Sequence, residues 1–143
     1  MPKLSKQQQV SEIIKCGKEP SYFFNNYLKI QHPVRGLIPF NTYDFQDECV
    51  EKFIDHRFNI VLKSRQLGLS TLVAAYSVWM AIFQKEKNIL VIATKLSVAQ
   101  NFITKVKSMI KSLPQWLLLP DITSNNKQQI LGDVYNSNIT IIP

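Results

Sequence analysis

Lys63-Ser64-Arg65-Gln66-Leu67-Gly68-Leu69-Ser70 lies between an apolar run, Phe58-Asn59-Ile60-Val61-Leu62, and a helix-forming stretch from Ser70 to about Gln84. The order is strand, basic turn, helix. Working outward, the polar turn Lys85-Glu86-Lys87-Asn88 leads into Ile89-Leu90-Val91-Ile92-Ala93, which is continuously apolar. Continuous apolar strands are those covered on both faces, as in parallel sheets. A second helix is predicted from Leu96 to Leu113, with Leu96, Ala99, Phe102, Ile103, Val106, Met109, Ile110 and Leu113 on one stripe. Pro114 stops it. Gln129-Ile130-Leu131 and Asn138-Ile139-Thr140-Ile141-Ile142 read as two further strands. Alternating strands and helices predict an α/β fold with a mainly parallel sheet.

The part before the basic turn reads differently. A short helix is expected over 4–16, and a second starts at Pro20 or Ser21, with Tyr22, Phe23, Tyr27, Leu28 and Ile30 as its apolar residues. His32-Pro33 and Gly36 mark an irregular connection. Residues 37–40 are extended, because the residue before Pro39 is pushed out of the helical region. Asn41 or Thr42 caps a third helix that runs to His56, with Phe45, Cys49, Val50, Phe53 and Ile54 at helical spacing. Residues 1–35 thus form an N-terminal helical extension and residues 36–143 the α/β domain, incomplete as it stands.

The turn has the makings of a phosphate cradle. Such a cradle needs backbone N–H groups, a helix N-terminus and a nearby cation. Gly68 permits close backbone approach, and Ser64, Gln66, Leu67, Leu69 and Thr71 contribute backbone. Lys63 and Arg65 are the cations, and a planar guanidinium suits bidentate phosphate contact. Ser70 offers a hard oxygen to Mg²⁺. The common phosphate-loop pattern, G-x-x-x-x-G-K-[ST], is nevertheless broken twice: Lys63 stands where the first glycine belongs, and Leu69 where the lysine belongs. An ordinary basic strand-to-helix turn is the plainer alternative.

With these departures the run Lys63 to Thr71 resembles the deviant phosphate loop of tailed-phage terminase large subunits, in which the lysine opens the motif and an arginine follows two residues on, as Lys63 and Arg65 do. Gly36-Leu37-Ile38-Pro39-Phe40 and Tyr43-Asp44-Phe45-Gln46 are similar to the segment preceding that loop, and Ile89 to Lys95 with the helix after it are similar too. The resemblance spans roughly residues 20 to 143. It implies an incomplete three-layer fold of the P-loop NTPase type, with ATP and Mg²⁺ as cofactors. It also implies Gln46 as an adenine contact, its amide offering a donor and an acceptor, with Tyr43 and Phe45 stacking on the base. Double-stranded DNA, a small terminase subunit and a portal protein are the implied partners, in a homo-oligomeric motor of the host cytoplasm. Such motors hydrolyse ATP with an Asp-Glu pair closing a later strand. After Asp133 no acidic residue follows, so this chain is expected to carry no catalytic residue and to hydrolyse ATP poorly or not at all.

Composition agrees with a globular, polyanion-binding protein. Hydrophobic residues make up 45% of the 143, with only 4 Gly, which excludes a disordered tail or a collagen-like repeat. A formal charge of +7 favours nucleic acid first and an anionic membrane second. Cys16 and Cys49 fit no metal spacing and suggest a reducing compartment. The start of the chain is not a signal core, and the apolar stretch over 72–83 is broken by Ser77 and too short to span a bilayer. Thr94 and Lys95, ending a strand, are further candidates for contact with nucleotide or DNA. Trp79 and Phe83 read as core, His32 and His56 as structural, and Lys105, Lys107 and Lys111 as a solvated face, with DNA contact as the alternative. Two other functions remain open: a fragment of a related nucleic-acid helicase, and a non-catalytic DNA-binding or assembly module whose loop no longer holds nucleotide.

Overall fold

The structure is a computed structural model that describes residues 4–32, 34–118, 122–123, 129–132 and 137–142. It is α/β. Helices α1 (Lys6–Lys18) and α2 (Pro20–Tyr27) come first. Ser5 caps α1: its hydroxyl accepts from the Gln8 N–H at 3.4 Å, while its own N–H donates to Gln8 Oε1 at 2.8 Å. Pro20 opens α2, where its missing N–H costs nothing.

The second helix is shorter than its apolar spacing suggests. Leu28 turns extended at φ −83°, ψ 145° and closes α2. Ile30 therefore falls in strand β1 (Lys29–His32), which pairs antiparallel with β2 (Gly36–Pro39). Within the expected irregular connection, Val34 and Arg35 form a turn, and Pro33 lies outside the described residues. His32 Nδ1 accepts from the N–H groups of Val34 and Arg35 at 3.2 and 3.1 Å, and Gly36 takes φ +72°. Helix α3 (Asp44–Asp55) starts after Tyr43, not after Asn41 or Thr42. Thr42 is engaged elsewhere: its N–H donates to Asn25 Oδ1 at 2.8 Å, and Asn25 Nδ2 donates to its hydroxyl at 2.9 Å.

Helices α4 (Leu69–Phe83) and α5 (Leu96–Ser112) form the centre. Leu72, Ala74, Ala75, Val78 and Ile82 of α4 pack with Ala99, Ile103, Val106 and Met109 of α5 and with Phe23, Phe24 and Leu28. One core thus takes in α1 and α2 as well. Trp79 is buried there, and its indole N–H donates to the Cys16 carbonyl at 2.9 Å. That carbonyl is among the last four of α1, which lack a helical partner, and the N–H of residue 20 is missing because it is proline. The Cys16 thiol is buried and free, and burial pushes it up to about 12. Glu12 ties α1 to α2 by accepting from the Tyr27 and Tyr22 hydroxyls at 2.6 and 3.0 Å.

The main sheet contains β3 (Asn88–Ile92), β4 (Ile122–Thr123), β5 (Gln129–Gly132) and β6 (Ser137–Ile142), in the order β3-β6-β5-β4. Its pairing departs from the expected mainly parallel sheet: only β3 and β6 run parallel, and β5 is antiparallel to both neighbours. Helices α4 and α5 both lie against β6. Coverage of β3 is one-sided. Ile89 and Val91 are half-buried, whereas Leu90 and Ile92 are 55% and 73% exposed, so the expected burial on both faces does not hold.

Residues 58–62 do not form the expected strand. The run carries no secondary structure and pairs with no strand among the described residues, and Phe58, Ile60 and Leu62 are 82%, 100% and 100% exposed. Apolar, β-branched composition fits a segment to a sheet, but the ladder that makes a strand must come from a neighbour. No described helix is long and apolar enough to cross a membrane.

Candidate functional site

The basic turn folds through two left-handed residues. Gln66 has φ 66° and Gly68 φ 69°, ψ 8°. Glycine adopts this geometry freely, whereas a glutamine is uncommon there and is held by its surroundings. Gly68 caps α4 with its backbone: its carbonyl accepts from Thr71 N–H at 2.9 Å and Leu72 N–H at 3.0 Å. The N–H groups of Leu69 and Ser70 are then among the free donors that every helix N-terminus leaves. They have no carbonyl partner among the described residues.

Lys63, Ser64, Arg65 and Ser70 are all exposed around this turn. The loop thus carries two exposed cations on its approach to an exposed hydroxyl and a helix N-terminus, where the macrodipole favours negative charge. Leu69 is the odd member. It is half-buried and packs on the core, and it lines a cleft of about 600 Å³ with Phe45, Cys49 and Phe53 of α3 and with Ile60 and Leu62.

Gln46 lies beside the turn, yet it is only 1% exposed. Its Oε1 accepts from the Tyr43 N–H at 3.2 Å, and its Nε2 donates to the Leu67 carbonyl at 3.1 Å. Tyr43 is 67% exposed and stacks on Phe45, with ring centroids 5.8 Å apart and planes 8° from parallel. An aromatic surface therefore stands at the start of α3. Thr94 and Lys95 are exposed between β3 and α5.

One contact escaped the sequence reading. Lys105 of α5, assigned to a solvated face, donates to the Thr71 hydroxyl in the first turn of α4 at 3.2 Å. Helical spacing shows that Lys105 lies off the apolar stripe, but not which helix end it meets. A third cation thus approaches the same helix N-terminus. The implied groups fit this donor set in part: unpaired N–H groups and three cations suit a polyphosphate, and Ser70 supplies one hard oxygen for Mg²⁺.

Fold and loop together define an α/β protein with an exposed basic loop feeding a helix N-terminus. Residues 60–141 match the family model described as terminase large subunit, T4likevirus-type, N-terminal. The match covers more than half of the chain, and the chain belongs to this family of phage terminase large subunits.

Proposed function

We propose that this chain is the ATP-binding part of a DNA-packaging motor, and that residues 63–71 are its phosphate loop on an incomplete P-loop NTPase fold. The observation that carries the reading is the loop itself. Gly68 caps α4 through a left-handed backbone, leaving the Leu69 and Ser70 N–H groups unpaired next to Lys63 and Arg65. In this reading the N–H groups and both cations hold the phosphates, Ser70 takes Mg²⁺, and the Tyr43–Phe45 pair stands ready for the base. Mg²⁺ would neutralise the charge of the β- and γ-phosphates. Family membership extends the proposal to double-stranded DNA and a portal as partners. The exposed edges at 58–62 and β3 would then receive further strands of the motor domain.

Equilibrium binding of a fluorescent ATP analogue, with and without Mg²⁺, tests the reading. Lys63→Ala is expected to weaken binding by about tenfold or more, as loss of a charge-assisted contact does. Absence of binding by both proteins would favour the non-catalytic assembly module, which Leu69 in place of a lysine keeps in view.

A further inference from the structure

We infer that Gln46 is a positioning residue that sets the direction of the loop's central N–H donor, and that it does not read the base. The inference rests on the reading above in one respect, that the loop receives phosphates. Gln46 is one of two buried polar side chains among the described residues, the other being Ser77. A buried amide must find partners. Its orientation is fixed by chemistry. Oε1 faces the Tyr43 N–H and Nε2 faces the Leu67 carbonyl, whereas a flipped amide would set donor against donor and acceptor against acceptor.

The consequence lies in the peptide between Leu67 and Gly68. Its carbonyl points at the buried Gln46 amide. In a planar trans peptide the C=O and N–H point in opposite directions. The Gly68 N–H is therefore turned away from Gln46, joining the unpaired N–H groups of Leu69 and Ser70. The fit is close: a Cβ on Gly68 would lie 3.0 Å from Gln46 Nε2. Loop and amide are thus matched, and an amide committed at both ends and only 1% exposed is poorly placed to offer adenine a donor and an acceptor.

Three ligands separate the roles: ATP, GTP and inorganic tripolyphosphate, titrated against the wild type, Gln46→Ala and Gln46→Glu. A positioning role predicts that Gln46→Ala weakens all three by a similar factor, about tenfold, the usual scale for one lost hydrogen bond. It also predicts an altered amide NMR shift and faster exchange at Gly68. Gln46→Glu keeps the acceptor for Tyr43 N–H but sets a carboxylate against the Leu67 carbonyl. It should bind worst at pH 8 and recover relative to wild type on acidification, as the protonated acid regains a donor. Selective loss of ATP, with tripolyphosphate unchanged, would make Gln46 a base reader and overturn the inference. So would an unchanged Gly68 amide in both variants. Should the wild type bind none of the three ligands, the proposed function fails, while the Gly68 amide still decides the geometry. If Gln46→Ala does not fold, the pH dependence of Gln46→Glu decides alone.

Discussion

Gly68→Ala and Gly36→Ala form a matched pair that measures how tightly the loop is braced. Both glycines are left-handed, at φ +69° and φ +72°. They differ in surroundings: a Cβ on Gly36 would meet nothing within 4 Å, whereas one on Gly68 would lie 3.0 Å from Gln46 Nε2. Forcing an L-residue into this region costs roughly 1–2 kcal/mol, and restricting the unfolded chain returns about half of that. Gly36→Ala should therefore cost about 1 kcal/mol. Gly68→Ala adds displacement of the Gln46 amide and weakening of its bond to the Leu67 carbonyl, about 1 kcal/mol more. Urea denaturation followed by far-UV circular dichroism gives both values. Nucleotide binding should fall for Gly68→Ala and stay level for Gly36→Ala. In a Gln46→Ala background the extra cost at Gly68 should vanish, since a double-mutant cycle isolates the shared contact. Equal costs at the two glycines, or an extra cost that survives Gln46→Ala, would refute the brace.

Two further outcomes follow from the fold. Glu12 is held below its ordinary value of 4.5, chiefly by the Tyr27 hydroxyl, with smaller help from Tyr22 and Lys15 against the opposing effect of burial. A lowered carboxylate stabilises the fold above its unfolded pKa and loses that contribution as pH falls through the folded value. The urea midpoint should thus drop as the pH falls below 4.5, and the gap between wild type and Glu12→Gln should narrow in the same direction; a gap that stays constant on acidification would count against it. Separately, Ile60→Thr with Leu62→Thr should raise the concentration at which the isolated chain self-associates, read by light scattering, while moving Tm by under about 2 °C. Residues this exposed contribute little to the core but offer an apolar edge that no described strand pairs. A large fall in Tm would show that the run is packed after all.

Local physics made much of this chain legible before its structure. An apolar stripe marked α5, the polar turn marked the start of β3, and a glycine before a long apolar helix marked the loop and α4. What escaped notice was nonlocal. Ile30 keeps helical spacing with Tyr27, yet it pairs with Ile38 across a hairpin. Residues 58–62 have the composition of a strand but no pairing strand among the described residues. Continuous apolarity in β3 shows that both faces tolerate burial, but only one is covered. The link from Gln46 to Leu67 crosses 21 residues and that from Lys105 to Thr71 crosses 34, beyond any pattern of periodicity.

Leu69 shows how the structure changes the meaning of a sequence anomaly. As text it is a leucine where the common phosphate loop has its lysine. In the fold it is half-buried, facing Phe45, Cys49 and Phe53 across the cleft and packing on the core. A lysine placed there would trade the leucine's apolar contacts for an ammonium that must reach out to solvent or to the Glu48 carboxylate, which lines the same cleft. Leucine instead anchors the first turn of α4 against α3, the helix that also carries Gln46. Under the proposed function the phosphate cation must then come from the solvent side of the loop, where Lys63 and Arg65 are exposed. The two departures from the common pattern become one arrangement: the apolar anchor at 69 excludes the cation from its usual place, and Lys63 supplies it from the loop's beginning.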